Sequence, residues 1–299
     1  RGDAGQFSSP PDTCGAIGPN HLVSVVNTNF QVYDPNTGLR LVNTSLSSFQ
    51  PGTSGDPRVL FDQYSQRWIV VSTNFGSNMY VAVSLTNDPT GAWFKTFFNA
   101  AQGTDSGKWI DFPTLGYDQT RIYIGAFLVG GSNQHSLFVL DKAALLASNP
   151  NYTITAFRGL AWEGSLQPCI HYGATTTGYI VSRVGGGGIR GRRGEGSATS
   201  PTLTTSGSVI GVPAWSAPGD APALGASTNI DAGDDRLVAA VFRNNYIYTS
   251  HTISSSGRGA ARWYQLQANP PSLVQSGTVT SPTLHYYYPS LMVNASGAI

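Results

Sequence analysis

Lysine and glutamate are almost missing from this chain. Its 299 residues hold three lysines (Lys95, Lys108, Lys142) and two glutamates (Glu163, Glu195), and charged residues make up 11%, about half the usual share. Both types fill the exposed faces of helices, so a fold built on surface helices is excluded. No apolar run approaches the roughly 20 residues that a membrane-spanning helix needs. A formal net charge of +1 gives nucleic acid or an anionic membrane no electrostatic reason to bind. The five histidines and two cysteines fall into no zinc-type spacing. Arg1, where an initiator Met would stand, reads as the start of a processed or trimmed chain.

What the chain has is glycine, proline and aromatics: 35 Gly, 18 Pro, 14 Tyr and 13 Phe. That is the material of strands and turns. "DPRVLFDQYSQRWIVVS" (Asp56–Ser72) is a short strand, a polar turn and a second strand that opens on an aromatic. It recurs as "PDTCGAIGPNHLVSVV", "FPTLGYDQTRIYIGAF", "QPCIHYGATTTGYIVSR", "ASTNIDAGDDRLVAAVF" and "YPSLMVNASGAI". Aligned on Cys14, Arg58, Thr114, Cys169, Ser227 and Ser290, the copies lie 44, 56, 55, 58 and 63 residues apart.

Four copies are followed by a second hairpin, as in "MYVAVSLTNDPTGAWFKTFF" (Met79–Phe98), and the third carries a short predicted helix at Lys142–Ala147. Four antiparallel strands per unit, repeated at this period, predict an all-β fold: a six-bladed β-propeller in one domain over 1–299. The units run approximately over 11–50, 56–100, 111–160, 167–215, 225–270 and 273–299. The sixth stops at its expected turn, which predicts either a strand supplied by "RGDAGQF" or, preferably, a chain that continues and allows a seventh blade. The glycine-rich basic stretch Val184–Ser208 reads as a flexible exposed loop.

The phrases "PPDTCGAIGPNHLVSVVN", "ARWYQLQ" and "YPSLMVNASGAI" resemble a family of exported bacterial proteins. Its members carry a Pro-Pro-Asp-Thr-x-Gly-Ala-x-Gly-Pro-Asn-His start, an Arg-Trp-Tyr and a later Ser-Leu/Ile-x-x-Asn/Asp-x-x-Gly hairpin. The resemblance covers most of the chain. It implies a secreted, extracellular propeller and brings no settled activity, so no catalytic residue is carried over. Low lysine and few thiols agree with export, and the sequons at Asn43, Asn151 and Asn294 add little.

In a propeller, the connections that enter each first strand and those after each second strand gather on one face. They carry the candidate ligand-binding residues Asp56, Trp109, Asp111, His171, Tyr172, Arg183, Arg243, His285, Tyr286 and Tyr288. Aromatic rings stack on the apolar face of a pyranose, while carboxylates and guanidinium forks bond its polar groups. The leading expectation is therefore an extracellular glycan or polysaccharide as partner. Two alternatives stand beside it: a polysaccharide lyase or glycoside hydrolase on the same face, and a structural or adhesive subunit that self-assembles.

A hydrolase of the Tyr–Glu kind would rest on Glu163, and "TNDPTGAW" (Thr86–Trp93) nearly matches a structural Asp-box. A lyase would draw on His171, Tyr172, Arg183, His251 and His285. No cofactor is expected, although Asp231, Asp234 and Asp235 offer a site for structural calcium. Cys14 and Cys169 hold matching places in opposite blades, which predicts two unpaired, buried thiols and no disulfide. Arg-Gly-Asp at Arg1–Asp3 is taken as coincidence.

Overall fold

A computed structural model describes residues 10–204 and 207–299. The Arg1–Asp3 tripeptide and the whole "RGDAGQF" strand candidate lie outside the described residues. The chain divides into two compact units, Arg1–Leu115 with Thr120–Ala161 and Gly116–Gln119 with Trp162–Ile299.

The first unit is three antiparallel four-stranded meanders. They comprise β1 (Cys14–Ile17), β2 (Leu22–Val26), β3 (Asn29–Tyr33) and β4 (Arg40–Ser45), then β5 (Gly55–Asp62), β6 (Arg67–Thr73), β7 (Asn78–Ser84) and β8 (Trp93–Asn99), then β9 (Trp109–Tyr117), β10 (Arg121–Val129), β11 (Gln134–Asp141) and β12 (Ile154–Leu160). Such meanders are the blade unit anticipated from the repeat. Middle strands such as "WIVVST" are buried on both faces, whereas the outermost strand β8 alternates half-buried and exposed. A strand buried twice needs a sheet packed on each side, which is how neighbouring meanders share cores. One core joins Val23, Phe30, Val59 and Trp68, and the stacked pair Phe30–Phe49 (4.0 Å) meets the edge of Trp93.

Two ion pairs are built into this unit. Lys142 Nζ lies 2.9 Å from Asp62 Oδ2, both side chains being buried. Arg158 meets Asp105 at 2.6 Å, and Ser136 also donates to that carboxylate. The helix at Lys142–Leu146 starts on an Asp141 side-chain cap. The Asp-box-like turn joins β7 to β8 as expected: Asp88 holds Thr90 at 2.8 Å and Trp93 Nε1 donates to Pro89 O at 3.0 Å.

The second unit begins with β13 (Gln167–Pro168), β14 (Ile170–Tyr172), β15 (Gly178–Val184), β16 (Gly188–Gly196), β17 (Pro201–Leu203) and β18 (Ser208–Gly211). β16 pairs with β15 on one side and with β17 and β18, end to end, on the other. A second meander follows: β19 (Leu237–Arg243), β20 (Tyr246–Ser255), β21 (Arg258–Gln267) and β22 (Ser272–Val279). Close approach at Gly116 shows how tightly β9 ends here, since a Cβ would meet the Cys169 and Pro168 carbonyl oxygens at 2.6 Å.

Three expectations are corrected. The loop expected over Val184–Ser208 is largely strand: Arg192 is 1% exposed, because Glu163 receives its guanidinium from below. No strand occurs over 226–230 or 280–299, so the sixth hairpin is absent, and the strand over 272–279 belongs to the meander before it. Leu291 and Val293 are nonetheless buried against Val241 and Tyr248. Cys169 is a buried free thiol as expected, but Cys14 is only half-buried, its sulfur accepting from Val59 N–H at 3.5 Å.

The repeat also shows in the backbone. Asp12, Asp56, Phe112, Gly225 and Tyr288 each lie two residues before an aligned position, and all have positive φ, at 47°, 51°, 46°, 75° and 50°. Four of these are not glycine, and Asp56, Phe112 and Tyr288 precede a proline, where helical conformations are further disfavoured. Five of six copies thus share a left-handed residue at the equivalent position, strained where it is not glycine.

Candidate functional site

In the first unit the structure brings Asp56, Trp109 and Asp111 together. Asp56 opens β5 at a bulge between Gly55 and Arg58. Its N–H donates to Asn27 Oδ1 at 2.7 Å, and Asn27 Nδ2 in turn donates to Asp12 Oδ2 at 2.5 Å. One Asp56 carboxylate oxygen accepts the Phe112 N–H at 2.9 Å. Arg58 completes the corner, its Nε donating to Pro113 O at 2.9 Å while its guanidinium lies over the Phe112 ring.

Burial pushes the Asp56 carboxyl up to about 6; the Phe112 N–H and Arg58 oppose this, and the charges of Asp111 and Asp12 reinforce it. Beside it an open cleft of about 470 Å³ is lined by Phe75, Trp109 and Asp111. Trp109 is 39% and Phe75 42% exposed, so two large rings face solvent. Neither is loosely held. Phe75 sits at φ 52° with its N–H on Thr73 Oγ1, and its ring lies where a Cβ on Gly55 would be 2.8 Å away. The start of β9 is tied to the same turn by Ile110 N–H to Gly76 O at 2.9 Å. Phe75 was not among the residues singled out from sequence. The one signal for it was its turn, "TNFGSN", in which Asn74 accepts from Gly76 and Asn78.

In the second unit the remaining candidates fall into separate places. His171 is wholly buried, its Nε2 accepting Tyr179 N–H at 3.2 Å and its ring stacked on Phe242. Its role is packing. Arg183 pairs with Asp235 at 2.8 Å, and Trp215 Nε1 donates to the other oxygen of that carboxylate. His251 lies behind them, with Nδ1 at 2.8 Å from Asp235 O and Nε2 at 3.0 Å from the Tyr264 hydroxyl. Burial lowers this imidazole to about 4, so it is neutral, donates to the carbonyl and accepts from the phenol.

Tyr172 and Arg243 are brought together, the guanidinium 4.5 Å above the ring. His285 and Tyr286 line a third place, a cleft of about 440 Å³ with Tyr287, Pro289, Ala261 and Val279. Tyr288 is 56% exposed, its N–H on Thr252 Oγ1 and its ring against Gly233.

The carboxylates considered for hydrolysis and for calcium are already engaged. Glu163 accepts from Ser182 (2.6 Å), Arg190 (2.7 Å) and Arg192 (2.9 Å). Burial would raise its carboxyl, but these hydrogen bonds and the Arg192 charge hold it below the usual range. Asp234 faces Arg236 at 2.7 Å, Asp235 faces Arg183, and Asp231 accepts Gly233 N–H. Among the described residues no three His, Cys, Asp or Glu are placed to hold a metal ion.

No family model matches the chain, and no curated protein matches it. Among solved structures it is similar to an alpha-L-arabinofuranosidase from Clostridium thermocellum, at 12% identity over 90% of this chain and 95% of that one, with a TM-score of 0.46. A subtype N10 neuraminidase-like protein of A/little yellow-shouldered bat/Guatemala/060/2010 gives 10% identity over 90% and 82%, with a TM-score of 0.49. An endo-arabinase from Bacteroides thetaiotaomicron gives 14% over 76% and 81%, with a TM-score of 0.41. Likeness at this level says nothing about chemistry, which has to come from the chain's own side chains.

Proposed function

We propose that this chain is a secreted glycan-binding module whose platform is the Phe75–Trp109–Asp111 cleft of the first unit. The observation that carries this reading is the pair of exposed aromatic rings fixed on strained or hydrogen-bonded backbone beside a carboxylate. Rings presented rigidly to water bind the apolar face of a sugar with little ordering cost, and Asp111 supplies an acceptor for its hydroxyls. Affinity electrophoresis through neutral polysaccharides tests the proposal. Trp109→Ala and Phe75→Ala are each expected to weaken retardation about tenfold, on the scale of burying one such ring. Retention unchanged in both variants would remove the cleft from consideration.

A glycoside hydrolase on the same cleft is the second reading, favoured by one observation. Asp56, whose carboxyl burial raises to about 6, stands next to a second carboxyl, Asp111, and a raised carboxyl is what a proton donor needs. Reducing-end assays separate the two readings. Turnover that disappears in Asp56→Asn while binding persists would establish the hydrolase, and binding without new reducing ends would leave the module.

A further inference from the structure

Arginines of the second unit are, as a rule, matched to carboxylates. Arg183 faces Asp235, Arg190 and Arg192 share Glu163, and Arg236 faces Asp234. Arg243 departs from this, as do Arg258 and Arg262, the last of which donates to Thr278. Arg243 ends β19 and flanks the Asn244–Asn245 turn, whose two residues have φ of 53° and 64°. Its side chain is half-buried, its Nε is shut off from solvent without a hydrogen-bond partner, and no carboxylate of the described residues pairs with it. The contact it does make is the face of Tyr172, at 4.5 Å.

The surroundings are aromatic and hydroxylated. Tyr246 and Tyr248 lie edge to face at 6.4 Å on the adjoining strand, and the Tyr248 hydroxyl accepts from Gln265 Nε2 at 3.2 Å. Tyr248 packs on Val241, Leu291 and Val293, with Tyr172 and Tyr246 against the same cluster, so the rings have a firm base. A guanidinium that is partly desolvated and lacks a counter-charge is poised to gain from one that arrives. Its planar fork fits a carboxylate two-pronged, and the tyrosine rings and hydroxyls suit the body that would carry it.

We infer that Arg243, with the half-buried Tyr172 and Tyr246 carried on the buried Tyr248, forms a second binding site that takes the carboxylate of an acidic sugar residue, a uronate. This site does not depend on the aromatic cleft of the first unit. Its ligand is distinguished from free carboxylates by the sugar that the tyrosines contact.

Calorimetric titration of the whole chain tests the inference, with the trisaccharides of galacturonate, glucuronate and mannuronate, their carboxyl-reduced neutral counterparts, and acetate as probes. At least one uronate trisaccharide is expected to bind, more weakly as salt rises, while its neutral counterpart and acetate give no heat. Arg243→Gln should cut that affinity tenfold or more, Arg243→Lys should restore part of it, and Trp109→Ala should leave it unchanged. Arg243→Gln gives up only the contact with the Tyr172 face, so its melting temperature should fall by no more than about a few degrees. Absence of binding by all three uronates would overturn the inference. So would equal binding of the neutral form or of acetate, or affinity that survives Arg243→Gln. A lower melting temperature with unchanged affinity would make Arg243 a packing residue. Loss of neutral-glycan retention in Trp109→Ala bears on the first cleft alone.

Discussion

Asp56 concentrates the tension of the first unit in one side chain. Its backbone is held in the left-handed region by Asn27, and its carboxyl is raised to about 6, where an unfolded aspartate titrates near 4. Between those values the folded chain keeps a proton that the unfolded chain has lost. Stability from this group therefore falls as pH rises from about 4 to about 6, and the full penalty, at most about 3 kcal/mol, persists above. Asp56→Asn keeps an acceptor for the Phe112 N–H, and asparagine tolerates positive φ. Thermal unfolding of the variant is expected to show a higher midpoint than the parent at pH 8 and no difference at pH 4. A variant less stable at both values would mean that the carboxylate is welcome in its ionised form.

At the scale of the element, β16 is the most informative. Glycine spaces its arginines, and the alternation of a strand sends Arg190 and Arg192 to one face, where Glu163 receives both. Glu163→Ala would leave Arg192 buried without its counter-charge, at a cost of about 3–5 kcal/mol, read as a lower urea midpoint. The parent should also lose stability in acid, as pH falls through the lowered value of this carboxyl. Sequence could not foresee this. Gly188–Gly196 holds a single apolar side chain, so it lacks the run of Val, Ile and aromatic residues that revealed "RWIVVST" and "RIYIGAF", and the partner that organises it stands 27 and 29 residues upstream. The same limit applies to the site. Asp56, Trp109 and Asp111 were legible because each stands where a loop enters a repeated strand. Phe75 was not, because an aromatic in a turn looks the same whether it faces solvent or core, and His171 looked like a ligand group until Tyr179 and Phe242 enclosed it.

Across the whole molecule, scarce charge is spent inside. Lys142 and Asp62, Arg158 and Asp105, and Arg192 and Glu163 are pairs with at least one nearly inaccessible partner. Cys169 offers a probe of how long that interior stays closed. Burial pushes its thiol far up, and its N–H is fixed on Tyr179 O at 2.8 Å. A disulfide reagent should titrate at most one thiol in the native chain, the half-buried Cys14, and two in denaturant. Rapid modification of both without denaturant would contradict the packing around β14. The dibasic step Arg192–Arg193 extends the point. It is the natural target of trypsin-like enzymes, yet it lies mid-strand with β15 hydrogen-bonded alongside and Thr204 bonded to Arg193. A protease must pull its substrate into an extended, unpaired form, so survival among such enzymes is set by how rarely this sheet opens and not by how many cleavable bonds the chain contains.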